Sequence, residues 1–425
     1  MAALPYSVTT GTSDVNVSWR KVQGKVVEGA QFFSEEWNWY DDFPIDAINW
    51  SLRETTIPID LVEEVGVAFI PEGGDLAKPS SVNMTDLTVP LSQANARFTA
   101  SKLAQYAAKG QVNEIEDQLK RQAAKKVQAM ARKFSIHTHG TSVGTLALTD
   151  TTIASATSQN DLVLKDGFGV STIDNAAYLA SLFRLNERVA IVNGSTLTAG
   201  SFGYIDAAPD AANGEIDITH DGTATGTTDN DLKIVGAASL EATTLAGTDY
   251  NKAINGWADF VNSSSLHGIA TSSYAIWAAN TDATGGRMTP DRLQKARHTI
   301  GNLGGGKLNA LMMSQGAERD WIKQEQALVR HDSAKGMETD GSVKFGSVPI
   351  MTSRFVPPGV VRAFDKRSIK KISLLPKPEK SGGLSWGDGK ELIDKDGYVF
   401  EVNMVAGLFC TNRANLYEFT SVTES

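Results

Sequence analysis

Four short stretches of this chain carry residue types that do chemistry. Gly301-Asn-Leu-Gly-Gly-Gly-Lys307-Leu308 has the glycines and the lysine of a loop that cradles phosphate. Such a loop needs Ser or Thr at its eighth position to hold magnesium, and Leu308 stands there. The flanking pattern also runs helix then strand, the reverse of strand, loop and helix, so a flexible turn is expected. His137 and His139 share one face if their segment is extended, but a metal site needs a third ligand and none is near in sequence. Asp394-Lys-Asp-Gly397 lacks the spacing and closing Glu of a calcium loop and reads as a turn. The single cysteine, Cys410, excludes an internal disulfide and any multi-cysteine metal site. Its apolar surroundings predict a small buried hydrophobe. No serine elbow, Cys/His pair or carboxylate cluster suggests a nucleophile or an acid–base pair. No catalytic residue, cofactor or metal is therefore expected.

The elements that would position any function are more informative. Ile57, Ile59 and Leu61 alternate with polar residues, and so do Leu87, Val89 and Leu91. Between them lies a stretch rich in turn formers, 65–80. The pattern predicts an extended hairpin within 51–100, with arms of about 20 residues and a reach of roughly 60 Å. An isolated two-stranded ribbon is marginal in water. The expected support is another copy of the same chain, which points to an assembly protein.

A long helix follows. Val112, Ile115, Leu119, Ala123, Val127, Met130 and Phe134 recur at three- and four-residue steps. Asn113 and Glu116 form a start signal, and Glu116–Lys120 and Asp117–Arg121 are i,i+4 pairs. The polar face carries Lys120, Arg121, Lys125, Lys126, Arg132 and Lys133. It is either a solvated face or a docking surface for acidic segments. Residues 28–64 supply such a segment: ten acids against one base, interleaved with Phe32, Phe33, Trp37, Trp39, Phe43 and Trp50.

Residues 137–186 are rich in Thr, Ser and Ala, with a short helix near Ala176–Leu185. Residues 187–250 read as a small β insertion of short strands split by Asn-Gly and Asp-Gly turns. From Thr289 helices and strands alternate. Thr289-Pro290 opens a helix, Leu308–Met313 is a strand, Ala317–Arg330 a helix, and Val348–Met351 and Val360–Phe364 are strands. Tyr398–Phe419 has the alternation of one long strand.

The composition fits a globular chain of 425 residues, with 41% apolar and 21% charged residues. Its net charge of −9 argues against coating nucleic acid by neutralising phosphates, but not against a container wall. No run of about 18 apolar residues would span a membrane, and the first residues have no basic or apolar signal region.

The order of these parts resembles the major capsid protein of tailed bacteriophages, a fold shared with encapsulins and the herpesvirus capsid floor. The matching stretches are Pro71-Glu-Gly-Gly-Asp-Leu-Ala-Lys-Pro-Ser, Arg97-Phe-Thr-Ala-Ser, Arg287-Met-Thr-Pro-Asp-Arg-Leu-Gln-Lys-Ala-Arg, Leu308-Asn-Ala-Leu-Met-Met-Ser-Gln-Gly-Ala-Glu-Arg-Asp-Trp, Pro349-Ile-Met-Thr-Ser-Arg-Phe-Val-Pro-Pro-Gly and the closing Tyr398–Phe419 strand. The resemblance covers nearly the whole chain except about 187–250, and the order of elements carries it. The resemblance implies an α+β fold: an N-terminal arm (1–50), an extended E-loop hairpin (51–100), a spine helix (101–136), a peripheral domain (137–288) with the β insertion, an axial domain (289–375) and a return to the peripheral domain (376–425).

It also implies a shell of hexamers and pentamers around double-stranded DNA, built with scaffolding, portal and cement proteins as partners, assembled in the host cytoplasm and apart from any membrane. The expected inter-subunit contacts are Glu35, Glu36, Trp37, Trp39, Val65, Phe69, Ile70, Glu72, Lys78, Lys120, Arg121, Lys125 and Lys126, with Arg362, Lys366, Arg367, Lys370 and Lys371 as a second basic surface. Gly66, Gly73 and Gly74 are the expected bending points of the ribbon.

With the ribbon starting by about residue 53, no fused scaffolding segment is expected. Some relatives join a ribbon lysine to an asparagine of the last strand with help from a glutamate. Lys78 and Asn403 match, but Cys410 and Thr411 occupy the stretch where the acid is expected, so no linkage is expected. Two rivals remain. An encapsulin-type compartment is discriminated by nucleic acid inside purified particles, and a nucleotide-binding α/β enzyme by an ATP-binding assay.

Overall fold

The computed structural model describes residues 54–61, 69–70, 84–101, 125, 128–130, 132–150, 153, 158–192, 201–220, 233–235, 252–329, 344–375, 390–391 and 397–424. These fall into two compact units, one within Gln93–Phe134 and Ser373–Ala406, the other within Tyr40–Ser92, Ser135–Ile372 and Gly407–Ser425.

In the larger unit, β1 (Glu54–Asp60) pairs antiparallel with β2 (Met84–Pro90), with Ile57 opposite Leu87 and Ile59 opposite Thr85. The period-two alternation is real: Ile57 and Ile59 are half-buried while Thr56, Pro58 and Asp60 are exposed. Among the described residues the paired arms are seven residues long, roughly 23 Å; the rest of the expected hairpin, 62–68 and 71–83, lies outside the described residues. After Leu91, β3 (Ser92–Ser101) begins. The described residues between 125 and 137, here α1, are helical. That helix ends three residues beyond the expected Phe134, and its expected first half lies outside the described residues.

A six-stranded closed barrel comes next. Its strands are β4 (Thr145–Thr149), β5 (Ser158–Lys165), β6 (Arg188–Val192), β7 (Ser201–Ile205), β8 (Glu215–His220) and β9 (Lys233–Val235), closing in the order β4-β5-β8-β7-β6-β9. The β-rich stretch after 187 is thus not a free-standing insertion. It closes only with two strands from the Thr/Ser-rich region, where no strand was expected. Alternation along β8 turns Ile216, Ile218 and His220 inward, and closure removes the edges that four short strands would expose. Helix α2 (Ala176–Ser181) lies between β5 and β6, capped by the Asn175 side chain, which accepts from the Tyr178 backbone N–H at 3.0 Å.

Helix α3 (Trp257–Asn262) precedes a small hairpin of β10 (Ser265–Leu266) and β11 (Ile269–Ala270). A six-stranded sheet then forms from β12 (Asn280–Asp282), β13 (Ala310–Met313), β14 (Lys344–Phe345), β15 (Val348–Thr352), β16 (Val361–Phe364) and, from the far end of the chain, β20 (Leu416–Phe419), in the order β12-β20-β16-β13-β15-β14. Helix α4 (Pro290–Gly304) begins as its residues dictate, with Thr289 accepting from Arg292 N–H at 3.4 Å, and Pro290 first. It ends on Gly305 in the left-handed conformation, φ 64°. Its Leu293, Ala296 and Ile300 share one face and pack with Leu311, Met313, Val361, Ala363 and Phe419 of the sheet. Helix α5 (Gln315–Val329) adds Ala317 and Trp321 to the same core. Every residue of β13, β16 and β20 is buried, as expected for strands covered on both faces.

Between β16 and β20 the chain forms β17 (Ile369–Leu375), β18 (Lys390–Glu391) and β19 (Gly397–Cys410). These make a second sheet in the order β17-β19-β18, and β3 also pairs with β19. The single long strand expected over Tyr398–Phe419 is therefore two strands in different sheets. The break is local chemistry. Asn412 accepts from Ala414 N–H at 3.0 Å and starts a 3-10 turn, and the Arg413 side chain is drawn into the interior.

Candidate assembly surface

The ribbon has a fixed base and an exposed outer part. Leu87 and Val89 are fully buried in their own subunit. Thr88 N–H donates to the His267 carbonyl at 3.1 Å, and Thr85 Oγ1 lies 3.2 Å from the Tyr274 hydroxyl. Gly407 passes so close that a Cβ there would sit 2.9 Å from the Pro90 carbonyl oxygen. The expectation that only a second copy supports the ribbon is therefore corrected: its base rests on its own body. Beyond that base the apolar surface is open. Phe69 is 104% exposed, Ile70 48% and Met84 65%. An unburied phenylalanine forgoes about 1.5–3 kcal/mol of transfer free energy.

Of the other expected contact residues, Lys125 is helical and exposed. Glu35, Glu36, Trp37, Trp39, Val65, Glu72, Lys78, Lys120, Arg121 and Lys126 lie outside the described residues, as do Gly66, Gly73 and Gly74. The second basic surface is not one. Arg362 is 1% exposed and Lys371 3%. Arg367 is exposed but binds its neighbour Asp365, Nη2 to Oδ2 at 2.7 Å. The run spans a buried strand, a turn and the next strand, so its charges cannot share a face.

Arg362 instead centres a buried joint that patterning did not reveal. It stands directly opposite Glu418 in the β16–β20 ladder, and its Nε donates to Glu418 Oε2 at 3.1 Å. Its Nη1 donates to His139 Nδ1, and its guanidinium lies 5.0 Å from the centre of the Trp257 ring. Accepting from a guanidinium requires a neutral His139, and burial together with Arg362 holds its pKa well below the usual histidine value. Burial pushes Glu418 up, with Arg362 opposing that rise. The joint ties the turn at 138–140 and α3 to the sheet. The histidine pair thus serves packing: His137 and His139 are both buried. Among the described residues no group of three or more His, Cys, Asp and Glu is placed to hold a metal. The sequence signal was a lone arginine inside the apolar run Val360-Val-Arg-Ala-Phe.

A second buried cation, Arg413, closes the end of α3. Its Nε donates to the Phe260 carbonyl at 2.6 Å, and its Nη2 to those of Val261 at 3.2 Å and Ser263 at 2.9 Å. These are orphan carbonyls of a helix C-terminus, where positive charge is favourable. In the same helix, burial raises the Asp259 carboxyl to about 6, although it accepts from Ser142 N–H at 2.6 Å.

The remaining motifs resolve as turns or core. Gly301–Gly304 is the last turn of α4, and Lys307 N–H points at the Asp365 carboxylate, 3.1 Å away. Burial raises Asp365, but Arg367, the backbone N–H groups of Lys307 and Arg367, and Asn309 outweigh it and hold the carboxyl near 2. A loop that follows a helix C-terminus and feeds a carboxylate has no free cradle for phosphate. Cys410 is fully buried and its thiol is pushed up to about 12, so it is inert. Asn403 lies in β19, and the Asp394 turn lies outside the described residues. No described helix is long and apolar enough to cross a membrane.

No protein-family profile and no curated protein sequence matches the chain. Solved structures do. The chain is similar to the capsid asymmetric unit of cyanophage A-1(L), with a TM-score of 0.53 at 11% identity, covering 96% of this chain and 99% of that one. It also overlays the holo-SrpI encapsulin complex of Synechococcus elongatus (TM-score 0.44, 9% identity, 96% of this chain and 95% of that one). A third match is the capsid of Myoviridae phage XM1 (TM-score 0.42, 9% identity, 95% of this chain and 97% of that one). The latter two, below 0.5, carry no weight. The cyanophage overlay bears out the resemblance read from the order of elements at the level of the fold: this is a phage-capsid fold.

Proposed function

We propose that the chain is the shell-building subunit of a tailed-phage head. Copies assemble as hexamers and pentamers of an icosahedral shell in the host cytoplasm, around double-stranded DNA and with scaffolding, portal and cement proteins as partners. The observation that carries this reading is the overlay of almost the entire chain on almost the entire cyanophage capsid chain. The exposed Phe69 and Ile70 at the outer part of the ribbon support it, because a shell subunit needs apolar surface that only a neighbour covers. Mechanism here is binding energy rather than turnover. Each ribbon tip buries apolar area on a neighbour at roughly 25 cal/mol per Å². The acidic, aromatic segment with Glu35, Glu36, Trp37 and Trp39 docks on the basic helix face of Lys120, Arg121, Lys125 and Lys126, while Val65, Glu72 and Lys78 complete the ribbon contact.

The test is electron microscopy of the purified chain, expressed alone and with its scaffolding protein. Closed icosahedral particles or hexamer rings are expected, with DNA inside particles taken from an infection. A compact monomer at micromolar concentration under every assembly condition would overturn the reading. Shells filled with an enzyme cargo instead of nucleic acid would convert it to a compartment of the encapsulin kind.

A further inference from the structure

Strand β20 ends at Phe419, and Ser421 takes a left-handed backbone, φ 59°, which breaks the extended run. The chain then passes between two glycine-containing loops. Val422 N–H donates to the Gly359 carbonyl at 2.9 Å, and Thr423 N–H to the Gly286 carbonyl at 3.0 Å. Gly286 and Val422 form an isolated bridge and not a ladder. The Val422 side chain is buried in the core that α4 and α5 share with the sheet. Glu424 follows, and its side chain lies at the start of α5.

Three groups are shaped around that carboxylate. Its Oε1 accepts from the Gly359 N–H at 2.6 Å and from the Ser314 hydroxyl. Ser314 immediately precedes α5, and its Oγ in turn accepts from the Ala317 N–H at 3.2 Å. One hydroxyl therefore caps the helix and holds the carboxylate. The start of a 15-residue helix carries partial positive charge, which favours an anion there. The third group is Gly316, inside α5, where glycine is unfavourable relative to alanine. A Cβ at Gly316 would overlap Glu424 Oε2 and stand 2.7 Å from Cδ.

We propose that Ser421–Glu424 is a strap, latched by the Glu424 carboxylate, that fastens the turn ending at Gly359 to the start of α5, and that Gly316 leaves the space in which the latch closes. The grip on the turn is reciprocal. The Gly359 carbonyl receives Val422 N–H, and the Gly359 N–H donates to Glu424, two residues further along the strap. The main-chain bonds of Val422 and Thr423 reach two separate loops, and neither reaches α5. Only the carboxylate joins strap, turn and helix. Burial of Val422 is the rival hold, and it would act alike with or without the carboxylate.

The experiment is hydrogen exchange on the full chain, reading protection factors at single amides. Glu424→Ala removes the acceptor, and protection at Gly359 is expected to fall about ten- to a hundred-fold, the worth of a hydrogen bond to a charged group. Gly316→Ala keeps the carboxylate but fills its place, and should lower protection at Gly359 as well. Both changes open the same latch, so the double variant should fall no further than Glu424→Ala alone. Leu311 and Met312 in β13 should keep their protection throughout. Unchanged protection at Gly359 in either single variant would overturn the latch and give the hold to Val422. Losses that add in the double variant, or a parallel loss in β13, would overturn it too.

Discussion

Arg362 and Glu418 permit a quantitative test of how the sheet is held to the elements packed on it. The side chains are 1% and 5% exposed, bonded at 3.1 Å and directly opposite in the β16–β20 ladder. Replacing Arg362 with Met leaves the Glu418 carboxylate buried without its cation and removes the donor to His139. Breaking a buried pair in this way costs about 3–5 kcal/mol. Glu418→Met strands the guanidinium instead and is expected to cost a similar amount. The double variant removes both charges at nearly conserved volume, so its electrostatic change is near zero or favourable. What remains is the lost His139 bond and the stacking on Trp257, together about 2 kcal/mol. Two single losses of about 4 kcal/mol each and a double loss of about 2 give a coupling near 6 kcal/mol. Urea denaturation of all four chains, followed by near-ultraviolet circular dichroism, measures each value. Single losses under 1 kcal/mol that simply add in the double variant would refute the joint, because they would mean that the charges are effectively solvated.

Three other outcomes are expected. Phe69→Asp should leave the far-ultraviolet circular dichroism unchanged yet block shell formation in sedimentation, since the side chain touches nothing in its own subunit; normal shells would exclude it from the contact. Reversal of Glu35 and Glu36 to lysine should impair assembly, and early shells should loosen at 1 M salt, where the Debye length shrinks to about 3 Å; insensitivity to both would make the acidic run a solvated face. Asp259 is raised from 3.8 to about 6, so its contribution is most favourable below pH 4 and is lost as pH rises through 6. Asp259→Asn should therefore stabilise the chain at pH 8 by up to roughly 3 kcal/mol, with the gain gone at pH 4; a gain independent of pH would show that the carboxylate is not the cause.

Local rules on the chain itself determined much of this protein. Thr289-Pro290 and Gly305 start and stop α4 because capping and left-handed backbone are properties of single residues. Alternation at Ile57, Ile59, Leu87 and Val89 places the hairpin because side chains on a strand point to opposite faces. The order of such elements was sufficient to indicate the capsid fold. Only the tertiary structure decided the rest. Whether 187–250 stood alone or closed with β4 and β5 depends on long-range pairing, which no local pattern encodes. Tyr398–Phe419 reads as one strand because alternation persists through it, yet β19 and β20 serve different sheets, the chain turning between them as Asn412 caps and Arg413 seeks the carbonyls ending α3. Arg362 looked like surface charge until Glu418, His139 and Trp257 converged on it from three other parts of the chain. A buried ion pair is specified by partners that share space and not sequence.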